Sequence, residues 1–194
     1  ALGGLAYVSE PLNVLHRRGV MSAPVRHWYT YITGENEAEY FSPFQNTLAL
    51  RYRLFAEAGS IRNGRDLMRM IRDLRIFMRG RMLRQTALLK DPFAVFSIPW
   101  FAERLDCRIV VTVRHPAAFA SSLKRLNWPF DFADLLNQPL LMRDHLEADR
   151  ADMQRIRPDD IIGQSALLWR IVYRLVARTV ERIPSIIVVR HEDL

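Results

Sequence analysis

Ile109-Val-Val-Thr-Val-Arg114-His-Pro116-Ala-Ala-Phe-Ala-Ser121-Ser122 reads as a buried strand that ends on an arginine and turns at once into a helix. Five apolar or β-branched residues make the strand. Pro116 fits the first helical turn, where its missing N–H costs nothing, and Phe119, Leu123 and Leu126 follow at helical spacing. The amides of such a helix start, the Arg114 guanidinium and the Ser122 hydroxyl are placed to converge on one phosphate.

The same arrangement recurs along the chain. Leu5-Ala-Tyr-Val-Ser ends on Glu10-Pro11, Ala87-Leu-Leu ends on Lys90-Asp91-Pro92, and Ile186-Ile-Val-Val ends on Arg190-His191-Glu192-Asp193. Each is a short apolar run without polar alternation, the pattern of strands covered on both faces of a parallel sheet, whose ligands bind beyond the carboxyl ends of the strands. Glu10, Lys90, Arg114 and His191 are thereby expected on one rim. Polar strand ends are common in any α/β protein, and it is the set of four that points to a site.

These residues resemble the sulfotransferases that use 3′-phosphoadenosine 5′-phosphosulfate (PAPS). Arg114, Pro116 and Ser122 match that family's 3′-phosphate motif, an arginine at a strand end with a serine in the following helix. Tyr7-Val-Ser-Glu10-Pro11-Leu12-Asn13 looks like the Glu-Pro segment of the carbohydrate-type and bacterial branches. Lys90-Asp91-Pro92 resembles their lysine-bearing strand end, and Arg190-His191-Glu192-Asp193-Leu194 their Tyr/His-Glu-Asp-Leu segment. The resemblance implies an α/β fold with a P-loop-like three-layer parallel sheet flanked by helices, one domain spanning residues 1–194. It implies an enzyme that moves a sulfonate group from PAPS to the hydroxyl of a small-molecule, carbohydrate or lipid acceptor by in-line attack, without a metal. Glu10 takes the role of general base, Lys90 that of charge on the bridging and sulfonate oxygens, and Arg114, Ser122 and His191 that of nucleotide binding. The plainer alternatives are a structural cap or arginine partner for Glu10, a snorkelling surface lysine for Lys90 and a structural loop histidine for His191. Asp91 is expected to cap the next turn, and Glu192 and Asp193 to be local structural carboxylates holding arginines.

The family's Ser-Gly-Thr type loop, which cradles the 5′-phosphosulfate, is absent from the sequence, and the chain opens at Ala1-Leu-Gly-Gly. The expectation is a fragment truncated at both ends, lacking at its front one strand, loop and helix of roughly 30 residues. A formal charge of +7 favours an anionic ligand. Only Lys90 and Lys124 among the 28 basic residues are lysines, an arginine bias that reads as bacterial genome composition. No run approaches the ~18 apolar residues of a membrane span and no signal-peptide layout is present, so the chain is expected in the cytoplasm. The single Cys107 excludes an internal disulfide and reads as a small buried residue. His16, His27, His115, His145 and His191 show no ligand spacing.

Residues 14–45 suggest an ordered excursion over the sheet rim. Residues 65–85 suggest a helix with Leu67, Ile71, Leu74 and Met78 on its core face and a solvated arginine face. Residues 131–155 read as helices broken at Pro139. Residues 164–182 form the clearest helix, with Leu168, Ile171, Leu175 and Val176 inward and Arg170, Arg174, Arg178 and Arg182 as a solvated ridge. Two other classes fit part of the pattern: a P-loop nucleotide kinase-like enzyme, and a non-enzymatic basic module binding nucleic acid or anionic glycans. Nucleic acid is given little weight, because no stacking aromatics are interleaved among the arginines.

Overall fold

All four apolar runs are strands. A computed structural model of the protein describes residues 4–15 and 17–193. Residues 1–3 of the opening segment, His16, and Leu194 of the Glu-Asp-Leu segment lie outside the described residues. β1 (Leu5–Ser9) pairs in parallel with β2 (Thr86–Lys90), with Ser9 opposite Lys90. β3 (Val110–Val113) pairs in parallel with β4 (Ile187–Arg190), with Val113 opposite Arg190. The fold is α/β with parallel strands. Among the described residues, however, the strands form two two-stranded sheets instead of the one expected, each pair within its own compact unit, the first through Ala94 and the second from Val95.

The expectation that the strands are covered on both faces is overturned. In β1 the inward Ala6 and Val8 are fully buried against Phe77 and Leu50, while Leu5 and Tyr7 on the other face stay open at 60% and 48% exposure. Leu88 on β2, Val110 on β3 and Ile187 on β4 are likewise exposed. The period of two is present in the burial but hidden in the sequence, because the outward positions carry apolar instead of polar residues.

In the first unit, β1 leads through residues 10–36 to α1 (Phe41–Leu48), α2 (Leu54–Ala58) and α3 (Gly64–Met82) before β2. The excursion is ordered as expected, with Met21, Ile32 and Phe44 fully buried. α3 starts where Asn63 caps it by accepting the Asp66 amide. Its packing face matches the expected one only in part, at the half-buried Ile71 and Leu74. Asp73, Phe77 and Gly80 are buried, at the spacing of one helical face, whereas Leu67 and Met78 are exposed. The cause is Gly80. A Cβ there would lie 2.8 Å from the Cβ of Ala6 and 2.6 Å from Leu50 Cδ1, so the missing side chain lets α3 approach β1 and turns the Phe77 face inward.

In the second unit, α4 (Ile98–Leu105) precedes β3, and α5 (Pro116–Arg125) follows it with Pro116 at its start. Next come α6 (Ala133–Leu136), α7 (Pro139–Leu141), which begins at the expected break, a π-helical turn over Met142–Leu146, and α8 (Arg150–Arg155). α9 (Ile161–Arg182) buries Leu168, Ile171, Leu175 and Val176 as expected. Its arginine row is only partly a solvated ridge. Arg174 grips the buried Asp149 with both terminal nitrogens, and Arg170 reaches Asp152 at 2.6 Å, which ties the long helix to the segment before α8. Cys107 is partly buried, and burial pushes its thiol up, away from nucleophile behaviour.

The close approach at Gly80 gives a stability test. Gly80→Val should destabilise the first unit by roughly 1–3 kcal/mol through overpacking against Ala6 and Leu50. Exposed Gly64, whose added Cβ meets nothing within 4 Å, should accept alanine with little change. Urea titration of both variants checks the contrast.

Candidate functional site

The carboxyl end of β1 carries Glu10 directly into a tight turn at Pro11. Glu10 itself is left-handed, φ 49°, one of several non-glycine residues in that region, and its amide still donates to Lys90 O at 2.8 Å, extending the β1–β2 ladder by one bond. Because Ser9 lies opposite Lys90, the next residue on β1 meets the lysine head: Lys90 Nζ donates to Glu10 Oε1 in an ion pair. Asn13 Nδ2 donates to the other oxygen at 3.0 Å. Partial burial pushes the Glu10 carboxyl up, but the hydrogen bonds from Lys90 and Asn13 and the lysine charge outweigh it, and the group is held below the ordinary glutamate value. It is an anion at neutral pH.

Asp91 holds this turn in place. Its Oδ1 accepts the Phe93 amide at 3.0 Å, which is the cap expected from the sequence. Its Oδ2 accepts the Leu12 amide at 2.6 Å, a bond across 79 residues that no spacing rule reveals. The carboxyl is largely buried, and burial raises its pKa to about 6, with the two amide bonds opposing the rise. Beneath Glu10 a cavity of about 200 Å³ runs from the end of β1 to the side of α3, with Arg17, Arg69 and Arg72 in its wall.

In the second unit the β3–α5 junction is pinned from α9. Trp169 Nε1 donates to Arg114 O at 2.8 Å, and the Tyr173 hydroxyl accepts the Arg114 amide at 3.4 Å while donating to Thr112 O at 3.3 Å. Trp169 and Tyr173 were not singled out in the sequence. They sit four apart on an apolar helix and read there as packing. The Arg114 guanidinium makes no ion pair among the described residues, unlike Arg190, which Asp193 holds at 2.8 Å. His191 follows β4 as Arg114 follows β3, on neighbouring parallel strands, so these two are brought together at one end of the pair. Ser122 is a half-buried residue of α5.

Two of the amides expected to be free at the start of α5 are already engaged. Glu192 Oε1 accepts the His115 amide at 2.8 Å, and His115 Nδ1 accepts the Ala117 amide at 3.2 Å. Pro116 has no amide to offer. The helix start therefore already holds an anion, and the carboxylate is kept low by that bond first. Glu192 and Asp193 are structural carboxylates, as expected, with Asp193 on an arginine and Glu192 on an amide.

Glu10 and Lys90 thus form one group, in the first unit, and Arg114, Ser122 and His191 belong to the other. Among the described residues no group of three or more His, Cys, Asp or Glu is arranged to hold a metal ion, and no helix is long and apolar enough to cross a membrane. Comparison with protein-family models, with curated proteins and with solved structures finds no match.

The raised pKa of Asp91 has a signed consequence. Between its unfolded value near 3.8 and about 6 the folded chain binds more proton than the unfolded chain, so this group's contribution falls as pH rises through that window. A shift of about two units corresponds to roughly 3 kcal/mol. Asp91→Asn should therefore look unfavourable at pH 4 and gain on the native chain by up to that amount by pH 7. Denaturant titrations at the two pH values read the difference directly, and a pH-independent gap would show that Asp91 does not titrate as stated.

Proposed function

We propose that the chain carries the acceptor-activating and nucleotide-binding residues of a PAPS-dependent sulfotransferase, an enzyme acting on hydroxyl acceptors. The observation that carries the reading is the Glu10–Lys90 pair: parallel register places a base and a cation at the same strand end, each touching the other. On this reading the two parallel pairs belong to one three-layer, P-loop-like sheet.

The residues suit the nucleotide's 3′ side in one respect and resist it in another. Arg114 has a rigidly held backbone and a guanidinium without an ion pair among the described residues, which favours a phosphate. The His115 and Ala117 amides are engaged by Glu192 and by the His115 ring, so Arg114, with Ser122 and His191, carries most of the binding. When bound, PAPS supplies a sulfonate on a phosphate leaving group, the sulfur–phosphate oxygen bond breaking with its electron pair as the acceptor oxygen–sulfur bond forms.

The chain's own residues then have definite tasks. Glu10 takes the proton of the acceptor hydroxyl. Its low pKa keeps it ionised and ready, while the Lys90 contact reduces its basicity at rest. Lys90, half exposed at its head, can leave Glu10 for negative charge developing on oxygen, and that exchange makes the base stronger as the cation moves off. Asn13 and the Asp91-held turn keep the Glu10 carboxylate aimed meanwhile.

Two measurements test this. Calorimetry should show that the protein binds 3′-phosphoadenosine 5′-phosphate more tightly than AMP, with Arg114→Ala erasing roughly 1.5–3 kcal/mol, about one to two decades in affinity. Equal affinity for both nucleotides removes the reading. Glu10→Gln should leave nucleotide affinity in place and lower sulfonate transfer by ~10²–10⁴-fold, and loss of folding with the substitution would return Glu10 to a structural role.

A further inference from the structure

The cavity beneath Glu10 is built entirely from the first unit, from the end of β1, the turn after it and one side of α3. At about 200 Å³ it is smaller than sites that take drug-sized ligands, and so has room for one small ring and not for a nucleotide. Its wall is apolar at Val8, Leu15, Val20, Ile76 and Phe77 and polar or charged elsewhere. Glu10 aside, its ionised groups are Arg17, Arg69, Arg72 and Asp73.

These charges are not equivalent. Asp73 is buried and shared: Arg17 Nη1 donates to one oxygen at 3.0 Å, and Arg72 to the other at 3.0 Å. Arg17 is half-buried and lies 3.8 Å from Glu57, so it is a scaffold charge with two carboxylates around it. Among the described residues Arg72 has only its share of Asp73, and its side chain is 62% exposed. Arg69 has, among the described residues, only a loose contact, 3.8 Å from Asp66 within the same helix, and is half exposed. The cavity wall thus carries two exposed guanidiniums: Arg69, whose loose pair is of the exposed kind worth about 0–1 kcal/mol and can turn to a new anion at little cost, and Arg72, whose remaining donors can add an anion while it keeps Asp73. The helix that bears them carries six arginines against two aspartates, which adds a favourable field for any anion arriving there.

We infer that this cavity receives the acceptor, and that the acceptor is a hydroxyl compound of about one sugar ring bearing its own anionic group, a carboxylate or a sulfate. The hydroxyl faces Glu10 and the anionic group lies between Arg69 and Arg72. The inference rests on the sulfotransferase reading for the word acceptor, and on the cavity alone for its anion preference. A neutral ring would leave Arg69 and Arg72 to solvent and gain nothing from them. An anionic ring gains charge-assisted hydrogen bonds and bidentate geometry from the guanidinium forks.

The test uses two sugars that match in ring and differ in charge, glucuronic acid and glucose, titrated into the protein beside 3′-phosphoadenosine 5′-phosphate. Glucuronate should bind about tenfold or more tightly than glucose, and the preference should shrink as salt is raised. The double variant Arg69→Ala/Arg72→Ala should lose the preference while keeping nucleotide affinity. Because Arg72 shares Asp73 with Arg17, Arg69→Ala alone serves as the variant that leaves the buried network intact, and it should lose part of the preference. Equal binding of the two sugars, or binding of neither, with the nucleotide still bound overturns the anionic acceptor and leaves the sulfotransferase reading standing. A glucuronate preference that vanishes in the double variant, in a protein indifferent to the nucleotide's 3′-phosphate, overturns the sulfotransferase reading and leaves an anion-selective pocket.

Discussion

The Leu12 amide donates to a buried carboxylate from the far end of the other strand, and the geometry of the first unit's rim depends on that bond. Asp91 spans from β2 to the turn after β1, so Glu10 cannot shift along its strand without breaking a 2.6 Å hydrogen bond in a poorly solvated place. The bond also explains the conformation of Glu10. A non-glycine residue at φ 49° needs its neighbours to hold it, and here the ladder bond to Lys90 O lies on one side and the Asp91 clamp two residues on the other. Burial makes this carboxyl costly to ionise even though two amides donate to it, which is the reason its proton leaves so late.

The second unit solves the same problem with different chemistry. There a helix, not a carboxylate, fixes the strand end: the indole of Trp169 and the phenol of Tyr173 reach from α9 to the backbone on either side of Arg114. Their rings pack on each other with centroids 4.8 Å apart, so the two donors form one rigid piece. Backbone is held and side chain is left available, which is the arrangement a ligand-binding arginine requires. The Arg174–Asp149 and Arg170–Asp152 pairs hold α9 in turn, so the position of Arg114 is linked to ion pairs on another part of the same helix.

Much of this was legible in the sequence, for a physical reason. Strand existence and parallel pairing follow from apolar runs punctuated by charged residues and proline, and all four runs formed strands within a residue or two of their expected bounds. Pro116, Pro139 and the α9 stripe act through local stereochemistry, which sequence displays. What escaped is long-range. The face of α3 was misread at Leu67 and Met78, though not at the half-buried Ile71 and Leu74, because one absent side chain, at Gly80, sets which side meets β1. The strands' open faces were hidden because exposed apolar residues look the same in sequence as buried ones. The meeting of Glu10 with Lys90 was implied by strand ends sharing a rim, but their direct pairing came only with the register, and the Asp91–Leu12 bond with neither.

The Glu192 carboxylate on the His115 amide makes the start of α5 a lock already holding a key cut from the same chain. Any anion that is to use that amide must displace a tethered competitor whose local concentration does not change with dilution. Arrival there is an exchange and not a capture, and the apparent affinity is the difference between two anions for one donor. A visitor that offered that amide no more than Glu192 already does would gain nothing by the exchange, and an advantage would have to come from a further contact such as Arg114.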